Sequence, residues 1–560
     1  MLEPLYLPRH VAALGESAAK RRSVRSAVGA LYAVTPGAES DTASCIADER
    51  ERGVDAVILV AAPGADVRAA APPGERRAVY LQTAIETERG LASGPSAWWL
   101  DDGEDNVRAL YDPFSRALLG FEEEAAFDRV SARLSASQVS GALGLGPAYV
   151  EEAGGSPAQA LGFLLASALG WARELEARGV SLRAAASAMG AVVSPGLDVF
   201  ASVAALRATC LAWAKLWARL GVEDVRGPLL VGVESARAMS ELDAPTNMLR
   251  GSIEAFGLLA GGADVVAVRP YDEPLVGLAG ASARGRTLAR NTVIVLAEEA
   301  HVGRVADPAG GSYYVERLTE ELARAGWAEL QQIEKDGGIG SRGARAALRA
   351  RSASAGAARA ADVRKRKGVL VGVSDFAIGD ASVLGGSAAR APGRVHLSPP
   401  QKNEENSDAL AFVRDAAPFE DVRRRAAPLG PRALLFGLGE PADYRAREGF
   451  ARRLFEVGGF TVSLADASGG ACWVEDAMER EKPDAVMLCS SDAIYAASAA
   501  EVVARVKGAA VVALAGKPGA LEEALRAAGL THSVALGVDV PAWLDGVLER
   551  IERARSGGAR

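Results

Sequence analysis

A two-domain α/β chain is predicted by three observations. Short apolar runs alternate with longer helical patterns from about residue 51 to 340. A stretch rich in Gly, Pro, Ser and charge, with no sustained period, breaks the alternation over 376–430. The alternation then restarts and supplies five strand–helix units before residue 560. Strands alternating with helices imply parallel strands joined by crossover helices. The first region approaches eight units, which suits a (β/α)8 TIM barrel; periodicity alone equally allows an open doubly wound sheet. The second region reads as a small flavodoxin-like domain.

Composition narrows the class. A chain of 560 residues is too long for one ordinary domain. An apolar fraction of 49% with 24% charge is ordinary for a soluble globular protein. A net charge of −8 argues against a nucleic-acid partner. Cys45, Cys210, Cys472 and Cys489 are widely spread and form no C-x-x-C pair, against a disulfide framework or a zinc site. No metal site is expected. No run of 18 apolar residues predicts a membrane span, and MLEPLYLPRH lacks a signal pattern. A cytoplasmic protein with no membrane partner is therefore expected. Histidine is scarce: His10, His301, His396 and His532 are all there are.

In chain order, residues 1–50 hold a Pro-Leu-Tyr element, the basic patch Lys20-Arg21-Arg22 and a turn at Thr35-Pro36-Gly37. They are assigned as a partner-contact segment ahead of the barrel. The barrel region is assigned to 51–370. Its candidate strands are Ala56–Val60, Ala78–Leu81, Ala97–Leu100, Ala148–Val150, Ala188–Val193, Leu229–Val233 and Val265–Val268. Candidate helices include Pro157–Arg178, Asp198–Arg219 and Thr246–Leu259. Trp98, Trp99, Trp213 and Trp217 read as core or interface aromatics. Glu151 and Glu152, adjacent in a helix, are expected to point apart. Residues 341–368, basic with the single acid Asp362, read as a solvated helix. A linker follows over 371–430. The last domain, 431–560, has candidate strands Ala433–Leu438, Phe460–Leu464, Ala485–Leu488, Ala510–Ala515 and Ser533–Leu536.

The most informative run is RNTVIVLAEEAHVGRVADPAGGSYYVE, Arg290 to Glu316. A helical apolar stretch leads to Val302–Val305, which looks buried. Asp307 precedes Pro308, which favours an extended or turn conformation. Ser312 is a plausible helix N-cap, and the helix it opens stops at Gly337-Gly338. His301 beside Glu298 and Glu299 reads as a polar turn. A second run, NMLRGSIEAFGLLAGGADVVAVRPY, spans Asn247 to Tyr271.

Both runs, in this order and at this separation, resemble the methylmalonyl-CoA mutase family. The resemblance implies a TIM barrel followed by a flavodoxin-like, cobalamin-binding type of domain. It also implies a radical rearrangement of a CoA thioester with adenosylcobalamin, whose chemistry the cofactor supplies and the protein positions. In the family an Asp-x-His-x-x-Gly loop provides cobalt's lower axial histidine. Anchored on Gly459-Phe460, those three positions are Ala442, Tyr444 and Arg447 here. Tyr444 is expected as a helix-start aromatic on the sheet edge. The elements that hold the nucleotide tail correspond to Cys489-Ser490-Ser491 and Ala515-Gly516-Lys517-Pro518.

The barrel departs from the family in the same sense. The histidine of the family's YHMQEAG-type run becomes Tyr149. The Arg, His and Gln of its Arg-x-His-x-Gln-Thr-Ser-Gly run become Leu229, Val231 and Val233, with Ser235 kept. A later histidine becomes Ala267. An aliphatic barrel top is expected, without groups to orient a charged acyl chain. The pattern is similar to the small, non-catalytic subunit of the heterodimeric bacterial members. That implies no catalytic, cofactor-binding or substrate-binding residues in this chain. Its partner would be a homologous catalytic large subunit, which would hold the adenosylcobalamin. The alternatives are an active acyl-CoA mutase with a divergent site, or a CoA-thioester-binding regulator or chaperone of a mutase.

Overall fold

A computed structural model describes residues 26–34, 39–61, 79–83, 107–109, 143–377, 415–466 and 472–557, with the single positions 114, 118, 127, 128, 131, 410, 412 and 414. The chain divides into two compact units, one of 1–239, 247–357 and 388–414, the other of 240–246, 358–387 and 415–560.

In the first unit eight parallel strands close a barrel in chain order. They are β1 (Ala27–Val34), β2 (Ala56–Ala61), β3 (Val79–Thr83), β4 (Val107–Ala109), β5 (Leu143–Leu145), β6 (Met189–Val193), β7 (Leu229–Val233) and β8 (Val265–Ala267). β8 pairs back onto β1 with Ala27 opposite Val265 and Gly29 opposite Ala267. The barrel thus begins at Ala27, inside the segment that the sequence reading set ahead of it. The stretch Ala148–Val150, expected as a strand, belongs instead to a short helix, α1 (Pro147–Glu152), which follows β5. Proline at the first helical turn explains the difference: its missing N–H costs nothing there, and a short apolar run carries no periodicity to decide between states. The Ala97–Leu100 run with Trp98 and Trp99, the Lys20-Arg21-Arg22 patch, the Thr35-Pro36-Gly37 turn, His10 and His396 lie outside the described residues.

Side chains alternate across the barrel wall. Leu31, Ala56, Ile58, Val192, Val231, Val233, Val265 and Ala267 form one buried cluster with Ala148 and Leu278. Val28, Leu230 and Val266 turn the other way and join Phe163, Trp171, Trp213 and Trp217 in the larger core beneath the helices. β1 and β8 pack closely: a Cβ on Gly29 would stand 3.0 Å from the Ala267 Cβ.

Among the covering helices, α2 (Pro157–Ala177) opens with a capping box between Ser156 and Gln159. Helix α3 (Val199–Arg219) is capped by Asp198, which accepts from Ala201 N. α3 is long and apolar enough to cross a membrane by composition. Its Trp213 and Trp217 are nevertheless fully buried, with ring centroids 5.7 Å apart, as in a core helix. Helices α4 (Thr246–Gly261), α5 (Tyr313–Lys335) and α6 (Arg342–Arg364) follow.

The 290–316 run locks α3 to α5. Arg207 on α3 donates through Nε and Nη2 to both oxygens of Asp307, at 2.9 and 3.0 Å, and through Nη2 to Glu316 at 2.6 Å. Its Nη1 reaches Thr319 Oγ1 at 3.1 Å. Asp307 opens a turn, with Gly310 N donating to its carbonyl at 2.8 Å, and sits at φ +48°, a left-handed conformation. Aspartate tolerates that region better than most residues, and the bidentate arginine pair holds it there. Ser312 takes the N-cap position without a side-chain bond. Val302–Val305 is not buried as expected; Val305 is 60% exposed.

The second unit is a five-stranded parallel sheet of β9 (Arg432–Gly437), β10 (Thr461–Asp466), β11 (Ala485–Cys489), β12 (Val511–Ala515) and β13 (His532–Val534). The order β10-β9-β11-β12-β13 is the flavodoxin-like 2-1-3-4-5 arrangement. Helix α7 (Pro441–Val457) joins β9 to β10. The expected linker contains a helix at Ala417–Ala426, whose Phe419, Val422 and Ala426 are buried.

Replacing Arg207 by Ala strands two buried carboxylates without their cation. A loss of about 3–5 kcal/mol is expected, read as a lower urea midpoint in equilibrium unfolding.

Candidate functional site

Barrel sites are built at the carboxyl ends of the strands. There the structure separates the candidate residues. Val231 and Val233 on β7 and Ala267 on β8 are 0%, 3% and 0% exposed and face the bore, with Leu229 packed beside them. Tyr149 on α1 does not join them. It is half-buried, meets Phe412 edge-on with centroids 6.3 Å apart, and packs against the outer core.

The rim is not aliphatic as the sequence reading expected. Glu151 Oε2 accepts from Ser194 N at 2.5 Å, while Glu152 Oε1 accepts from Ser194 Oγ at 2.8 Å and Ala236 N at 3.1 Å. Glu152 Oε2 also accepts from Arg237 N at 3.0 Å. These adjacent carboxylates thus converge on Ser194, contrary to expectation, because that residue offers both a backbone and a hydroxyl donor at the end of α1. Glu234, just beyond β7, accepts from Arg269 N at 2.8 Å, and Glu254 on α4 accepts from Ser235 N at 2.7 Å. Arg269 returns Nε to the Glu234 carbonyl at 2.8 Å and Nη1 to Glu273 at 2.7 Å. Glu234 Oε1, Glu254 Oε1 and Ser235 Oγ are buried without a partner.

Burial sets the titration of this belt. It pushes Glu151 up to about 7, against the Ser194 N–H that favours the carboxylate. It pushes Glu254 up to about 8. Glu234 is held well above the usual carboxylate range by burial and by repulsion from Glu254. Glu273 is raised by burial, against the pull of Arg269.

In the second unit the crevice of interest is the switch point between β9 and β11, where an open α/β sheet binds ligands. Two side chains of α7 fill it. Tyr444 is buried with its ring against Gly437 at the end of β9, an interior strand and not the sheet edge, and its hydroxyl lies 3.4 Å from Asp466 Oδ2. Arg447 donates to the Ser490 carbonyl at 2.6 Å and to Asp492 at 2.5 Å, with its guanidinium 5.0 Å from the centre of the Tyr495 ring. A Cβ on Gly516 would stand 3.3 Å from Arg447 Cζ, so the arginine lies over that glycine. The Tyr495 hydroxyl is 2.9 Å from the carbonyls of Leu488 and Ala515, tying the ends of β11 and β12. Ala442 lies two residues before Tyr444 on the same helix.

Among the described residues no group of three His, Cys, Asp or Glu could hold a metal ion. His301, Glu298 and Glu299 are exposed.

The family model for methylmalonyl-CoA mutase matches residues 143–385. The methylmalonyl-CoA mutase small subunit of Streptomyces virginiae is 33% identical over 468 residues, covering 80% of this chain and 71% of that protein. The chain belongs to the methylmalonyl-CoA mutase family. The small subunit of Propionibacterium freudenreichii subsp. shermanii is 34% identical over 366 residues, 65% of this chain and 55% of that protein. The methylmalonyl-CoA mutase of Cereibacter sphaeroides is 32% identical over 231 residues, 41% of this chain and 32% of that protein. The family is one of cobalamin-dependent isomerases.

Within this mutase-family barrel the residues that sequence reasoning missed are Glu234, Glu254, Arg269 and Glu273. Their signal was present as charges set inside apolar runs such as SIEAFGLLAG and VVAVRPY. Charge buried in such a run is rare without a partner.

The raised carboxyls make stability depend on pH with a definite sign. The folded chain holds protons that the unfolded chain releases near pH 4.5, so stability falls as pH rises through the folded values of about 7 and 8. Urea midpoints measured between pH 6 and 9 are expected to decline, and Glu254→Gln to flatten the decline.

Proposed function

We propose that the chain is the small, non-catalytic subunit of an adenosylcobalamin-dependent methylmalonyl-CoA mutase. It pairs with a homologous large subunit and stabilises it. The large subunit holds cofactor and substrate, and the activity of the complex is interconversion of (R)-methylmalonyl-CoA and succinyl-CoA. The observation that carries this reading is the filled switch-point crevice. The residues there do not fit a corrin cofactor. Tyr444 stands where the resemblance places the axial histidine, and its phenol is a poor donor to this cofactor's cobalt. Arg447 lays a cation over Gly516, where the resemblance implies the nucleotide tail would pass. Ala442 leaves no carboxylate to orient an axial ligand.

The barrel supports the same reading. Leu229, Val231, Val233 and Ala267 present aliphatic surface where the resemblance expects polar groups, and none can hydrogen-bond a thioester or carboxylate. Tyr149, the one substitution able to donate such a bond, packs toward Phe412. No step of the isomerisation is assigned to this chain. The relatives named as small subunits support a large-subunit partner. A cytoplasmic place, with neither membrane nor nucleic-acid partner, belongs to the same proposal.

The purified chain, incubated with adenosylcobalamin and passed through gel filtration, is expected to lose all corrin absorbance and to show no turnover. Co-expression with a large mutase chain of the same organism is expected to yield an active complex of the two. A corrin spectrum retained by the chain alone would sink the proposal. Tyr444→His by itself is expected to leave the spectrum absent, because Arg447 still occupies the crevice.

A further inference from the structure

We propose that Arg237 anchors a binding site for a small oxyanion, a carboxylate or a phosphate, on the barrel rim. Six arginines of the first unit are buried among the described residues: Arg207, Arg237, Arg250, Arg269, Arg290 and Arg345. Five of them donate from the guanidinium to a protein acceptor. Arg207 reaches Asp307, Arg250 reaches Asn247, Arg269 reaches Glu273, Arg290 reaches Glu49, and Arg345 reaches the carbonyls of Ile339 and Gly340. Arg237 does not. The bond it makes is from its backbone N–H to Glu152, and its Nε is buried without a partner.

The side chain is 8% exposed, and its terminal nitrogens are absent from the sealed, unpartnered atoms, so the remaining access is at the fork. Nη1 and Nη2 lie beside Gly154 and Gly196, 3.8 and 3.7 Å from where a Cβ would stand on each. Both glycines adopt positive φ, +86° and +90°, which disfavours any larger residue there; the Gly154 side is closed by the Gly356 backbone, whereas the Gly196 side meets only Arg237 Nη2. Glu151 and Glu254 feel the guanidinium's charge, but neither hydrogen-bonds it. Ser235 adds an unpartnered buried hydroxyl at the same strand end.

A buried guanidinium with five donors and none used is rarely left so. Its planar fork matches a pair of coplanar oxygens, which sets the chemistry of the ligand. Carboxylates and phosphates both present such a pair. The site does not depend on the subunit reading. A catalytically silent chain and an active one would hold the anion alike.

The test is isothermal titration of the purified full-length chain at pH 7 and constant ionic strength, with succinate in one arm and inorganic phosphate in the other. Saturable binding of at least one is expected, and the arm that saturates names the class. Arg237→Gln is expected to weaken that binding at least tenfold. Arg237→Lys, which keeps the charge but loses the fork, is expected to weaken it less. No saturable heat in either arm, or equal affinity in Arg237→Gln, overturns the proposal. Should Arg237→Gln fail to fold by circular dichroism, Arg237→Lys decides: reduced affinity upholds the site and unchanged affinity overturns it.

Discussion

The bore of an eight-stranded barrel is just wide enough for side chains to fill, and every other property of the first unit follows from how it is filled. Here Leu31, Ile58, Val192, Val231, Val233 and Val265 meet across it, with alanines where the walls come close. Each fully buried Val or Leu contributes roughly 1.5–3 kcal/mol relative to an exposed one. A polar side chain in such a layer would need a partner inside the bore or a ligand to satisfy it. Val231, Val233 and Ala267 of this cluster stand where the resemblance puts polar groups.

The second unit repeats this in a different geometry. The crevice at the switch point of a parallel sheet is open because the two neighbouring connections leave on opposite faces. Tyr444 fills its floor and Arg447 its mouth, and Arg447 is held by the Ser490 carbonyl, Asp492 and the Tyr495 ring. These contacts occupy the Ser490 carbonyl and the space over Gly516.

Polarity in the barrel lies at the rim, where Glu151, Glu152, Glu234, Glu254, Arg269 and Glu273 share backbone donors and one another's charge. The Arg207 clamp on Asp307 and Glu316 shows the other use of buried charge in this chain, as a fastener between α3 and α5. It gives the 290–316 run a structural role.

The sequence by itself determined the two α/β domains and most helices to within a few residues, and it sets Ala442, Tyr444, Arg447, Leu229, Val231, Val233 and Ala267 where the resemblance implies ligand-type side chains. Those features are written in local composition, period and motif. It misplaced α1, the start of the barrel and the Ala417–Ala426 helix, because short elements carry too few residues for a period to show. It expected an aliphatic rim and adjacent glutamates pointing apart, because neither burial nor convergence is a property of one segment. Only the closed barrel brings Ser194, Ser235, Glu152, Glu254 and Arg237 to one end, from strands and helices far apart in the chain. Only the folded second sheet lays Arg447 over Gly516. Contacts of that kind depend on chain closure and packing, which no local pattern records.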